Sequence, residues 1–250
     1  MTALCLYFGT EMPDREWARS LAGADVVLEP YHPLVKDGGF ADIFPDCQRY
    51  VYVNPTSVDP WILGQSKSKP PLIGRDGRWD LPRLDLSTPE GFNWAVAEAL
   101  TALAADGGRG HGLFVDDLDR LLPEQTEIAM SYLVHVTVRH GKEPGWFLNR
   151  AFSLWPLVEG LDAVLLEDIT PALIGYESVS GVRWVREVVL QGVRQVRARG
   201  IHVHSIGYSD HEKIPEGRIP DPVLTKELAE LVDSVTTGAD RRLEEWRVSK

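Results

Sequence analysis

The sequence predicts an α/β protein built as one (β/α)8 TIM barrel over residues 1–250, and three observations predict it. Eight short apolar runs recur along the chain, most of them continuous rather than alternating, as expected of strands covered on both faces. Helix-like segments separate them, which makes consecutive strands parallel. The length of 250 residues is the usual size of such a barrel. No G-x-G-x-x-G follows the first run, which argues against an open dinucleotide-binding sheet.

The strands are read at Leu4–Phe8, Val26–Glu29, Tyr50–Asn54, Gly112–Asp116, Gly145–Asn149, Ala163–Glu167, Ile201–Gly207 and Asp233–Thr237. Pro13 to Ala22 gives the first helix, with proline near its start. Thr88-Pro89 opens a long one through Phe92, Val96, Leu100 and Leu103 that stops at Gly107-Gly108. A hydroxyl before proline is a strong start, because the oxygen accepts an orphan N–H and proline lacks one. Helices follow at Pro123–His140, ending at Gly141, and at Val182–Arg199, with Val185, Val188, Val189, Val193 and Val196 on one face and Gly200 as the stop. Leu224–Leu231 and Asp240–Trp246 complete the set.

Three long irregular stretches, Pro30–Gln48, Thr56–Ser87 and Ser209–Pro222, leave the second, third and seventh strands. These are C-terminal strand ends, where barrel enzymes build their sites. Trp61 and Trp79 fall in the second of them, where exposed aromatics suit sugar stacking.

A net charge of −11 repels nucleic acid and anionic lipid, so neither is an expected partner. The two cysteines, Cys5 and Cys47, form no C-x-x-C pattern, and a structural zinc site is not expected. The N-terminus lacks the features of a signal peptide and no apolar run reaches about 20 residues, so a cytoplasmic location and no membrane contact are expected. H-E-x-x-H and G-x-S-x-G are both absent. His202 and His204 lie on one face of the seventh strand, where they could bind a metal but are read as satisfied core or barrel-bottom residues, and His32 lies in the second loop as a candidate mouth residue. No cofactor and no metal are expected; oligomeric state is not readable.

The candidate chemistry is carboxylate chemistry. Gly112-Leu113-Phe114-Val115 runs into Asp116, Asp117 and Asp119, and Ala163-Val164-Leu165-Leu166 runs into Glu167 and Asp168. Asp116 and Glu167 end strands two apart, and alternate strands fill the same interior layer, so their side chains can converge. Two facing carboxylates are the minimum set for glycoside hydrolysis, and they could equally hold a divalent cation. By strand alternation Asp117 points away from Asp116, and both Asp117 and Asp119 can serve as helix caps. Asn149 can hold a sugar hydroxyl or a carboxylate, and Arg150 can depress a carboxylate pKa or pair at a helix start. Tyr7, Glu29 and Tyr208, which close the first, second and seventh strands, are further substrate-binding candidates.

Four stretches in order also resemble the endo-α-1,4-polygalactosaminidase-like glycoside hydrolases and the related hydrolase domains of bacterial exopolysaccharide-processing proteins. They are Asp25-Val26-Val27-Leu28; the run from Trp79-Asp80-Leu81-Pro82 through Asp85-Leu86-Ser87-Thr88-Pro89-Glu90; Gly112 to Asp119; and Leu148-Asn149-Arg150-Ala151-Phe152 with Val164-Leu165-Leu166-Glu167. The resemblance implies a (β/α)8 barrel, Asp116 and Glu167 as the catalytic pair, and polymers of galactosamine or N-acetylgalactosamine as substrates. The chain departs from the family pattern at Asp117, where a threonine-like residue is usual, at Ala151 in place of glycine, and at Asp168 in place of a small neutral residue. The added acids are expected to raise the pair's pKa values by like-charge repulsion. Two other classes stay open: a small-molecule or metal-assisted intracellular enzyme reusing the barrel acids, and a non-catalytic carbohydrate-binding barrel.

Overall fold

The computed structural model describes residues 2–65, 69–76, 80–109, 111–121, 125–167, 185–208 and 222–239. Its main sheet has eight parallel strands in the order β1 (Leu4–Tyr7), β2 (Asp25–Leu28), β3 (Gln48–Val53), β6 (Gly112–Val115), β7 (Trp146–Asn149), β8 (Leu161–Glu167), β9 (His202–Tyr208) and β10 (Ser234–Ala239). Two short strands, β4 (Leu72–Arg75) and β5 (Pro82–Leu84), form a separate antiparallel hairpin after β3.

The sheet curls into a barrel. Asp25 Oδ2 on β2 lies 2.8 Å from His202 Nδ1 and 2.7 Å from His204 Nε2 on β9. In a flat sheet of this order β2 and β9 would stand five strand spacings apart, about 24 Å. The contact is possible only if the sheet wraps round and brings β1 and β10 to a common seam.

Strand alternation then divides the side chains. Leu4, Leu6, Val27, Tyr50, Phe114, Phe147, Ala163, Leu165 and Ile206 fill the barrel interior, with Phe8 and Tyr52 packed against them. Their neighbours Cys5, Val26, Leu28, Val51, Val53, Leu113, Val115, Leu148, Val164 and Val203 face the helices. This two-sided burial is why the strands read as unbroken apolar runs.

The helices are α1 (Arg15–Arg19), α2 (Pro33–Lys36), α3 (Phe40–Ile43), α4 (Pro60–Gln65), α5 (Pro89–Ala104), α6 (Thr126–His140), α7 (Gln191–Ala198) and α8 (Pro222–Leu231). In α5 the Thr88 hydroxyl accepts the Gly91 N–H, and Ala95, Val96, Ala99, Ala102 and Leu103 form the buried face. In α6 Ala129, Tyr132, Leu133 and Val136 are buried, and Gly141 ends the helix at φ +79°. The stretches read from sequence as irregular contain α2, α3, α4 and the hairpin. A π-helical turn, Val185–Leu190, precedes α7. The helix read at 240–246 lies outside the described residues.

Two glycines set the barrel floor. A Cβ on Gly112 would collide with the Gly145 carbonyl oxygen and the Tyr50 ring, and one on Gly145 with the Asp162 carboxylate. Gly112→Ala is therefore expected to destabilise the fold by about 1–3 kcal/mol through overpacking. Urea unfolding of the variant checks this; an unchanged midpoint would mean that β3 and β7 yield without cost.

Candidate active site

The C-terminal ends of the inward-facing positions open into a cavity of about 510 Å³. Glu29, Tyr52, Asn54, Asp116, Asn149 and Glu167 line it. Each follows from period-two alternation: Glu29 two residues after Val27, Tyr52 and Asn54 after Tyr50, Asp116 after Phe114, Asn149 after Phe147, Glu167 after Leu165. Asp116 is still held in the ladder, since its N–H donates to the Val53 carbonyl at 3.0 Å.

At the centre stands the Asn149 amide. Its Nδ2 donates to Asp116 Oδ1 at 2.7 Å and to Glu167 Oε2 at 2.6 Å. Both amide protons are thus used on carboxylates, which also fixes which end of the amide is nitrogen. The two nearest oxygens are thus at most about 5.3 Å apart, the sum of these contacts, closer than the about 6.5–9.5 Å of a carboxylate pair that admits a water between its members.

Asp116 receives two further hydrogen bonds, from the Tyr52 hydroxyl to Oδ2 at 3.0 Å and from the Asp117 N–H to Oδ1 at 2.8 Å. These donors favour its charged form, yet burial first, then the charges of Asp117 and Glu167, push its pKa up to about 7. Burial, with Asp59 and Asp116 adding to it, also holds the Glu29 carboxyl well above the ordinary carboxylate range.

A charged frame surrounds the pair. Asp117 is buried at φ +58°. Its Oδ2 accepts from Asn54 Nδ2 at 2.8 Å, and its Oδ1 pairs with Arg120 Nε at 2.9 Å and with an Arg150 terminal nitrogen at 3.2 Å. Arg150 Nε stands 3.4 Å from Asp119 Oδ2 and 3.9 Å from Glu167 Oε2. Arg120 also binds Asp76 in the β4–β5 connection, which ties the hairpin to the strand-end loop. Asn54 is locked in turn, its Oδ1 accepting from the Thr56 N–H, the Thr56 hydroxyl and the Ser57 N–H. Arg150 and Ala151 continue the chain at φ +54° and +47°. Three successive uses of left-handed backbone by residues with side chains mark a frame whose geometry is held at a local cost of about 1 kcal/mol or more each.

The structure thus brings Asp116, Glu167, Asn149, Arg150, Asp117 and Glu29 to one cavity, with Asp119 beside it on Arg150. It does not bring Tyr7 there. Tyr7 faces the helix layer, fully buried, its hydroxyl accepting the Glu11 N–H at 3.0 Å and its ring edge-on to His32 at 5.7 Å. The inward residue at that strand end is Phe8, which meets Tyr52 edge-on at 5.0 Å and forms part of the cavity wall. His32 is likewise no mouth residue: it is buried and caps α2, accepting the Leu34 N–H at Nδ1. Tyr208 closes β9, but its side chain, like those of Trp61, Trp79 and Asp168, lies outside the described residues. Sequence reading did not single out Tyr52, Asn54 and Arg120. Counting inward from Tyr50 in steps of two would have found the first two.

No protein-family model matches the sequence, and no curated protein matches it. Solved structures do. The glycoside hydrolase domain of PelA from Pseudomonas aeruginosa superposes with a TM-score of 0.63 at 18% identity, over 97% of this chain and 96% of that one. Aspergillus fumigatus Ega3, solved in complex with galactosamine, superposes with a TM-score of 0.66 at 12% identity, over 98% and 93%. A noncanonic maltogenic α-amylase, AmyB from Thermotoga neapolitana, gives 0.53 at 12% identity over 98% of this chain and 69% of its own. The chain shares their (β/α)8 fold.

Proposed function

We propose that the protein is an endo-acting, retaining glycoside hydrolase of the polygalactosaminidase-like family, cutting an amino-sugar glycan of the galactosamine type. The observation that carries this reading is the single amide of Asn149 bridging the carboxylates of Asp116 and Glu167 on the wall of an open cavity. The fold shared with PelA and Ega3 supports it.

With its pKa near 7, Asp116 is about half ionised at neutral pH. Three donors favour its ionised form, the form that attacks. Glu167 then protonates the glycosidic oxygen while Asp116 attacks the anomeric carbon, and the aglycone leaves as an alcohol. In the second half Glu167, now a base, takes a proton from water as the water displaces Asp116. Asn149 donates to both oxygens throughout, and Arg150 offsets the negative charge left on Glu167.

Hydrolysis of a defined galactosamine oligomer, followed by proton NMR, tests this reading. The first anomer to appear should keep the configuration of the cleaved bond. Inverted product would remove the double-displacement assignment, and an oligomer left uncut would remove the glycosidase reading.

A further inference from the structure

A second ionisable cluster sits at the opposite end of the barrel. Asp25 at the start of β2 is fully buried, and the rings of His202 and His204, two residues apart on β9, both turn a nitrogen to its Oδ2. The three donor atoms all lie within 4.8 Å of one another. Rings separate this cluster from the mouth: Phe147 lies 5.6 Å from His204, Phe114 lies 4.9 Å from Phe147, and Tyr52 stacks on Phe114 at 5.8 Å before its hydroxyl reaches Asp116. The proposed hydrolysis uses none of its members.

Two features exceed what a structural hydrogen-bond cluster requires. First, the remaining oxygen of Asp25, Oδ1, is buried without a hydrogen-bond partner, in a carboxylate with no exposed surface. Such an atom costs about 1–3 kcal/mol unless something else satisfies it. Second, the far nitrogen of each ring already has a hydroxyl partner. His204 Nδ1 is 2.7 Å from Ser234 Oγ, and His202 Nε2 is 3.4 Å from Thr2 Oγ1. Metal-binding histidines are held this way, with the outer N–H donated to an oxygen so that the inner nitrogen presents its lone pair.

We propose that Asp25, His202 and His204 form a binding site for one borderline divalent cation of the zinc or cobalt type, at the base of the barrel. Two imidazoles and one carboxylate suit such an ion better than magnesium or calcium, which prefer all-oxygen sets. The open coordination position faces outward past His202, whose side chain is 31% exposed, and solvent enters there. Tyr50 on β3 and Asp162 on β8 both stand near enough to Asp25 to act on it electrostatically, and the Asp162 carboxylate offsets the ion's remaining charge.

Each ring offers its inner nitrogen to the ion once that nitrogen carries no proton, the outer N–H then donating to Ser234 Oγ from His204 Nδ1 and to Thr2 Oγ1 from His202 Nε2. The ion joins β2 to β9 across the seam between β1 and β10, closing the barrel with a coordinate clasp.

Chelator-stripped protein mixed with zinc or cobalt ions tests the proposal. The expected result is uptake of one ion per chain, a rise in Tm with ion concentration, and visible absorption of the cobalt form from low-symmetry N/O ligation. His202→Gln, at the part-exposed ligand, should keep the fold and lose both uptake and the Tm rise, whereas Glu167→Gln at the mouth should keep both. The absence of stoichiometric uptake would overturn the proposal and leave a proton-held clip. Uptake surviving in His202→Gln, or abolished in Glu167→Gln, would overturn it equally, by placing the ion elsewhere.

Discussion

Asp116→Asn and Glu167→Gln are each expected to lower kcat by about 10³–10⁴-fold, because each removes a group that acts only as the glycosidic bond breaks. The two losses should differ in how they respond to a small anion. Cutting Glu167 back to alanine leaves the attacking Asp116 in place. Azide then replaces water in the second step and, on an activated substrate, yields a glycosyl azide of retained configuration. Cutting Asp116 back to alanine opens space on the attacking face, where azide enters directly and gives the inverted product. The reversed pattern would exchange the two roles; equal activity of both variants and the parent would remove the pair from the reaction altogether. The pH profile of the parent carries the same information. Burial with the charges of Asp117 and Glu167 places the titration of Asp116 near 7, and Asp116 must be ionised to attack. Activity should therefore rise as pH climbs through about 7, as Asp116 ionises.

The barrel strands were legible because burial on both faces leaves an apolar run that only a covered parallel strand explains. Leu113 to Val115 and Val164 to Leu166 are of this kind, and the acids closing them stand out against it. The hairpin was not legible. Leu72 and Ile73 are exposed, so no pattern marks them, and what fixes the hairpin is the pairing of Asp76 with Arg120, far along the chain. Tyr7 and Phe8 show how one residue of phase changes a role, since Leu4 and Leu6 face inward and carry Phe8 with them. Alternation placed Asp117 away from the pair, but its left-handed backbone turns it to Asn54, Arg120 and Arg150 at the cavity rim. A positive φ in a residue with a side chain leaves no mark in the sequence. The shared face of His202 and His204 could be read from their spacing, but not Asp25, which stands 177 residues before His202 and reaches it only because the barrel closes.

Removing the Asp116 charge is also expected to stabilise the protein, and only on the alkaline side. Asp116 rises from 3.8 to about 7 on folding, so between those values the folded chain binds a proton that the unfolded chain has lost. Stability therefore falls as pH climbs through this window, and the penalty is complete above about pH 7. Three pKa units correspond to about 4 kcal/mol, which cavity water at this part-exposed carboxylate reduces to about 2 kcal/mol. Asparagine fits the same hydrogen bonds. Its oxygen accepts from Asn149 and the Asp117 N–H, and its NH2 donates to the Tyr52 oxygen, which turns its own proton away. Asp116→Asn should accordingly melt several degrees above the parent at pH 8, with the gap closing toward pH 3, below both pKa values, where the parent's Asp116 is protonated in both states. A gap that is the same at both pH values would place its origin in packing. A variant less stable than the parent at pH 8 would show that the amide network tolerates no neutral group there. The expected outcome is the ordinary conflict of an active site: the carboxylate that the reaction needs ionised is the one the folded chain holds at greatest electrostatic cost.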